Sequence, residues 1–149
     1  MEKPAGTYFV TFRLRQISHR LSIPERKVVF DIVVAGHKNR YDLHAAVVME
    51  DHVHVLLQAA VSLTRTFPLP KIMHRIKGFS ALQVNKLRRR KGALWQARYH
   101  NRLIASAHEY SQKLNYIVDN PRRAGLAADP NEYPCLWYKG KDEMMEQPG

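Results

Sequence analysis

Apolar and polar side chains begin to alternate at Tyr8. Tyr8, Val10, Phe12 and Leu14 fall on one side of an extended chain and Thr11 and Arg13 on the other, the pattern of a half-buried strand. Ser22-Ile23-Pro24-Glu25 then makes a capping box with proline in the first turn, ahead of Val28, Val29, Ile32 and Val33. A helix is predicted from about Pro24 to Ala35, ended by Gly36. Two strand-like runs follow, about Leu43 to Met49 and Val53 to Gln58, and the short polar Glu50-Asp51 between them implies an antiparallel hairpin. Pro68 and Pro70 introduce a second helix with Ile72, Ile76, Phe79 and Leu82 at helical spacing, although Gly78 argues against an unbroken one. It runs into the basic turn Lys86-Leu87-Arg88-Arg89-Arg90-Lys91-Gly92. A fourth strand, about Tyr99 to Ile104, precedes a second capping box, Ser106-Ala107-His108-Glu109, and a third helix. Pro121 disfavours helical geometry at the residue before it, so this helix is predicted to end at Asn120, with Gly125 in the exit loop.

The order β-α-β-β-α-β plus a helix predicts an α+β, ferredoxin-like fold: an antiparallel sheet with two helices on one face. The other face is left for a ligand or for the third helix. A single domain over residues 1–149 is expected, with its core over about 8–126 and a C-terminal extension over 127–149. Cys135 is the only cysteine, which excludes an internal disulfide and a zinc cluster built from thiolates. Neither a signal-peptide core nor an apolar run of membrane-spanning length is present, so a cytoplasmic protein with no membrane partner is expected.

Charge changes the picture. Twenty-four Lys and Arg against thirteen Asp and Glu give a net charge of +11. So basic a domain attracts polyanions, nucleic acid above all, which would make the protein nucleoid-associated. A ribosome-associated or simply soluble basic protein fits the same numbers.

The candidate chemistry starts at His52-Val53-His54. Side chains alternate along a strand, so the two imidazoles share one face and can grip a single divalent ion from one side. On this reading Val53, Val55 and Leu57 face the helices, and His52, His54, Leu56 and Gln58 face the open side. Two histidines decorating an exposed strand would give the same pattern. On the third helix, Tyr110, Leu114 and Ile117 form the buried stripe, while Tyr116 lies a quarter turn off it. Asn120, four residues on, shares the side of Tyr116. It is either a carboxamide available to a metal or merely a helix cap.

Four pieces of the chain carry a resemblance. They are Val48-Met49-Glu50-Asp51-His52-Val53-His54-Val55-Leu56-Leu57, Lys77-Gly78-Phe79-Ser80-Ala81, Leu94-Trp95-Gln96 with Tyr99-His100, and Tyr116-Ile117-Val118-Asp119-Asn120-Pro121. In this order, over about Tyr8 to Leu126, the chain resembles the HUH-type single-tyrosine transposases of bacterial insertion sequences, and more closely the REP-associated tyrosine transposases. One departure is Glu50, where the family usually has proline two residues before the histidine pair; it concerns the turn and no ligand.

The resemblance implies an enzyme that nicks and rejoins single-stranded DNA. His52, His54 and Asn120 would hold Mg²⁺ or Mn²⁺, and Tyr116 would attack the phosphate to leave a 5′-phosphotyrosine link and a free 3′-OH. The base that would activate the tyrosine is not identified by the sequence; His100 is one guess. The basic residues suit single-stranded or hairpin DNA: Lys71, Arg75 and Lys77 on the second helix, Lys86 and Arg88, Arg89, Arg90 and Lys91 after it, and Arg98, Arg102, Arg122 and Arg123 nearer the chemistry. Trp95 and Tyr99 could stack on unpaired bases, although Trp95 equally fits the core and Arg88 to Lys91 a solvated turn. A catalytically silent module that recognises repeat hairpins is the alternative, and a replication initiator or relaxase a third reading. A monomer is favoured over a dimer for want of a long apolar surface helix.

Overall fold

A computed structural model describes residues 6–59 and 67–141; of the predicted C-terminal extension over 127–149, residues 142–149 lie outside the described residues. The elements are β1 (Thr7–Arg13), α1 (Ile23–Ala35), β2 (Tyr41–Val48), β3 (His52–Ala59), α2 (Leu69–Arg88), β4 (His100–Leu103) and α3 (Ala107–Arg123). A 3-10 turn, Pro130–Glu132, and a short strand, β5 (Leu136–Tyr138), follow and were not anticipated. Three residues are too few to show an alternation. The sheet order is β4-β1-β3-β2-β5 with every pair antiparallel, so the predicted α+β class holds with one strand added at the edge.

Each face of the sheet is covered. Val10, Phe12, Val53, Val55 and Leu57 are fully buried or nearly so on the side of α1 and α2, where Ile72, Met73, Ile76 and Val84 of α2 complete the core. On the opposite side α3 packs on β2 and β3, and it buries Tyr110 and Ile117 there. No helix among the described residues is long and apolar enough to cross a membrane.

The capping box of α1 forms as predicted: the Glu25 N–H donates to Ser22 Oγ at 3.3 Å and the Ser22 N–H to Glu25 Oε1 at 2.8 Å. Gly36 closes α1 for a reason other than a left-handed turn. Its φ is −78°, and a Cβ there would run into the ring of Tyr41, whose hydroxyl donates to the Val33 carbonyl at 2.5 Å. Gly78 does not interrupt α2. A helical glycine costs about 1 kcal/mol relative to alanine, and the buried stripe of Ile72, Met73, Ile76, Ser80 and Val84 outweighs that. Lys86 and Arg88 are accordingly helical, and the chain turns at Arg89 with φ 55°. Pro121 does not stop α3 at Asn120 either: both residues are buried inside the helix, which runs to Arg123. Proline forfeits a single backbone bond, and so near the end of the helix the burial of Ile117, Asn120 and Pro121 holds the last turn.

Two residues expected at DNA belong to the framework. Trp95 is 4% exposed, packs edge-on against Phe12 and donates Nε1–H to Ser80 Oγ at 2.9 Å, so it cannot stack on a base. Arg88 donates to both carboxylate oxygens of Glu25, at 2.8 and 3.1 Å, and to the His19 carbonyl at 2.7 Å, tying the end of α2 to the start of α1. On the exposed side of α2, Phe79, Leu82 and Leu87 are about half exposed among basic residues such as Arg75 and Lys86.

Burial alone would raise the Glu25 carboxyl, but hydrogen bonds from Arg88 and Ser22 hold it below its ordinary 4.5. The stability from this pair is therefore complete above that value and lost as the pH falls through the lower folded one. Arg88→Met leaves the carboxylate without its partner in a half-closed site and should cost about 2 kcal/mol, read as a lower urea midpoint at pH 7 that converges with wild type in acid.

Candidate active site

Strand register assembles the site. β1 and β3 pair so that Arg13 lies opposite His52, Thr11 opposite His54 and Phe9 opposite Leu56. Cross-strand partners point to the same face, so all six side chains project toward the α3 side. The histidine rings stand 4.7 Å apart between centroids, as the alternation required. β4 extends the rows, with His100 opposite Thr11 and Arg102 opposite Phe9. His100 is thus on the correct face but two strand spacings from His54, roughly 10 Å.

Each histidine is gripped by its Nδ1. His52 Nδ1 lies 2.6 Å from Asp51 Oδ1, and His54 Nδ1 lies 2.8 Å from Thr11 Oγ1. An ionised carboxylate only accepts, so His52 carries its proton on Nδ1 and a neutral ring leaves Nε2 bare. The Thr11 hydroxyl, able to donate or accept, permits the same tautomer at His54. His54 is 3% exposed and its Nε2 is buried with no hydrogen-bond partner. Burial first, then the charges of His52, Arg13 and Lys113, push its pKa down to about 3. A buried polar atom without a partner is costly, and a neutral imidazole held by its other nitrogen is the usual state of a metal ligand. Among the described residues no cluster of three His, Cys, Asp or Glu side chains could hold an ion. The donor set therefore fits a divalent metal only with a different third group, and Asn120, 8% exposed on α3, is the candidate.

The tyrosine arrives from above. Tyr116 is 41% exposed, with its ring edge-on to His54 at 5.2 Å and to Phe9 at 6.2 Å. Phe9 in turn stacks on His54 at 5.4 Å, and Lys113 sits 4.9 Å over the Phe9 ring. Tyr110, by contrast, is buried as predicted. Phe9, Thr11, Asp51 and Lys113 were all missed as site residues. The strand alternation carried a signal for Phe9 and Thr11, which occupy the face opposite Val10 and Phe12.

The basic residues divide by what holds them. Lys71, Arg75, Lys86, Arg89, Arg90, Lys91 and Arg98 are exposed. Arg102 and Arg122 are exposed but paired bidentately, with Glu109 and Asp119. Arg123 lies 5.9 Å over the Tyr116 ring. Lys77 donates to the Gln96 and Ala97 carbonyls at 2.7 and 3.2 Å and lies over the half-buried ring of Tyr99.

The tautomers can be read directly. Nitrogen-detected NMR at neutral pH should show His52 protonated on Nδ1, with Asp51→Asn weakening that preference. His54 should remain neutral through the acid range in which the protein stays folded; titration of His54 near the ordinary histidine value would contradict its burial.

Comparison with known proteins places this geometry. No curated protein sequence matches the chain. Among solved structures, a REP-associated tyrosine transposase bound to a REP hairpin superimposes with a TM-score of 0.74 at 19% identity, over 99% of this chain and 86% of that one. At that identity the likeness establishes the fold. A protein of Deinococcus radiodurans R1, described as a transposase, aligns at 25% identity with a TM-score of 0.49, over 78% of this chain and 95% of that one. The family model of the IS200-like transposases matches residues 26–120, a stretch that runs from α1 through both histidines and Tyr116 to Asn120. With well over half its length matched, this chain belongs to the IS200-like transposase family.

Proposed function

We propose that the chain is a metal-dependent nickase and strand transferase for single-stranded DNA, acting beside hairpins of repeat DNA. The observation that carries the reading is the conjunction at His54: its buried Nε2 has no partner, and its ring lies edge-on to the exposed Tyr116 ring with the centroids 5.2 Å apart. His52, His54 and Asn120 would hold Mg²⁺ or Mn²⁺, which accept mixed nitrogen and oxygen donors. Such an ion supplies Lewis-acid polarisation of a phosphate oxygen.

The chain's own residues do the rest. Thr11 and Asp51 fix the imidazole planes, so the donors need no reorganisation. Phe9 flanks both His54 and Tyr116, stacking on the imidazole and meeting the phenol edge-on, and so braces the two rings against each other. The Tyr116 oxygen forms a bond to phosphorus as the P–O3′ bond breaks, leaving a 5′-phosphotyrosine; the proton lost by the phenol to solvent is balanced by one that the departing 3′ oxygen takes from solvent to become the free 3′-OH. The covalent link conserves the phosphodiester for rejoining. Arg123 over the Tyr116 ring and Lys113 over the neighbouring Phe9 ring bring positive charge to the tyrosine's side of the site, suited to a phosphate. A solved structure of the same fold is bound to a REP hairpin, so a hairpin with a single-stranded flank is the substrate to try.

Incubation of labelled hairpin DNA with Mn²⁺ should give a protein–DNA adduct that survives denaturation. Tyr116→Phe should abolish it, a loss of at least about a thousandfold, while hairpin affinity stays within about twofold. Tight binding by the wild type with no adduct would leave a silent hairpin-binding module instead.

His52→Ala should remove Mn²⁺ binding seen by electron paramagnetic resonance. Thr11→Val, which keeps the shape but not the hydroxyl, should weaken it by about 10- to 100-fold. Undiminished Mn²⁺ affinity in both variants would place the ion elsewhere.

A further inference from the structure

His44 occupies a break in the sheet. β2 and β3 pair Leu43 with Leu57 and Ala45 with Leu56, so His44 is the extra residue of a bulge with no partner on β3. Bulges re-aim side chains, and this one turns an imidazole toward α3. His44 is 3% exposed, and its Nδ1 lies 2.5 Å from the hydroxyl of Tyr110, itself buried. Among the described residues this is the one buried side-chain hydrogen bond between α3 and the sheet; the Arg102–Glu109 pair lies at the surface.

Behind His44 stands a second tier. Its Nε2 is buried and makes no hydrogen bond, and Asp42 Oδ2 lies 3.4 Å away. Asp42 is held by Lys139 Nζ at 2.7 Å, and the Lys139 backbone N–H donates to the His44 carbonyl at 3.0 Å. Burial first, then Lys139 and His37 against Asp42, hold the His44 pKa at about 4, so the ring is neutral at pH 7. With a carboxylate facing Nε2, the single ring proton sits there. Nδ1 is left to accept the Tyr110 hydroxyl proton.

We infer that the Tyr110–His44 bond, backed by Asp42 and Lys139, is the positioning device that fixes where α3 presents Tyr116 and Asn120 to the histidine pair. The inference rests on the function proposed above. Apolar contacts such as Ile117 hold a helix against a sheet but tolerate small rotations and slides, whereas a buried hydrogen bond has one geometry. Tyr116 lies six residues beyond Tyr110, roughly 9 Å along the axis, so a slip at the anchor is carried directly to the nucleophile. Misplacement by about 1 Å can cost about a hundredfold in rate. Because Lys139 follows β5, the C-terminal strand belongs to the same device. His44 and Tyr110 touch no DNA in this scheme; they act through α3.

The test is single-turnover adduct formation over a range of hairpin concentrations. Tyr110→Phe and His44→Leu should each lower the maximal rate by about 10- to 100-fold, with half-saturating DNA unchanged within about twofold. The double variant should be no slower than the slower single one, since both remove the same bond. His44→Asn, which restores a polar atom near the Nδ1 position, should recover most of the rate; a merely structural role for a buried ring would not respond so. Hydrogen exchange should quicken in α3 of Tyr110→Phe and stay as in wild type in α1 and α2. A full maximal rate in Tyr110→Phe, a loss confined to DNA affinity, or unchanged exchange in α3 would overturn the anchor. Should the wild type form no adduct, the proposed function fails, and the exchange comparison alone decides whether Tyr110 anchors the helix.

Discussion

The pairing of β1 with β3 is the constraint on which the site depends. A shift of one residue would turn every side chain of β3 to the other face. The present register puts Thr11 against His54 and Arg13 against His52, while Phe12 meets Val53 on the core side. The core thus pins the chemistry: the burial of Val10, Phe12, Val53 and Val55 under α1 and α2 leaves the histidines only the face that α3 covers. Orientation of the imidazoles then comes from the same ladder, since Thr11 is the cross-strand neighbour of the ring it binds.

The periodic elements were legible and the exceptions were not. Strict alternation in Val53-His54-Val55 and the serine caps at Ser22 and Ser106 located β3, α1 and the start of α3, because local geometry alone decides them. Only the cap at Ser22 closes a full box, since the Glu109 carboxylate turns to Arg102. Pro121 and Gly78 misled for one reason: propensity penalises single residues, whereas tertiary burial acts on whole helices, and α2 and α3 each bury a full stripe. Trp95 and Arg88 could not be assigned from sequence, because their partners, Ser80 and Glu25, lie 15 and 63 positions away. For Thr11 the alternation gave the face but not the partner, which the pairing with His54 supplies. The bulge at His44 left no sequence signal that periodicity could register.

Positive charge is distributed by function of place. Where arginines meet carboxylates, as in Arg88 with Glu25 or Arg102 with Glu109, they tie elements together. Where the nearby carboxylates are already taken, Glu109 by Arg102 and Asp119 by Arg122, Lys113 and Arg123 rest on the aromatic faces of Phe9 and Tyr116. Cations so placed keep their hydrogen-bonding capacity for an incoming anion. Glu109 illustrates the division. It sits one turn before Lys113 and would be its natural partner, yet both of its oxygens are taken by Arg102.

The two outer strands of the sheet are β4, four residues long, and β5, three residues long. An exposed edge is a template on which another chain can add a strand, and short edges offer it few backbone groups. The longer strands, β1, β2 and β3, are all interior. By adding β5 beside β2, the C-terminal segment covers Ala45 to Val47 of what would otherwise be a bare eight-residue edge. Strand addition by another copy, the usual route from a folded sheet to aggregation, thus finds little template on either side.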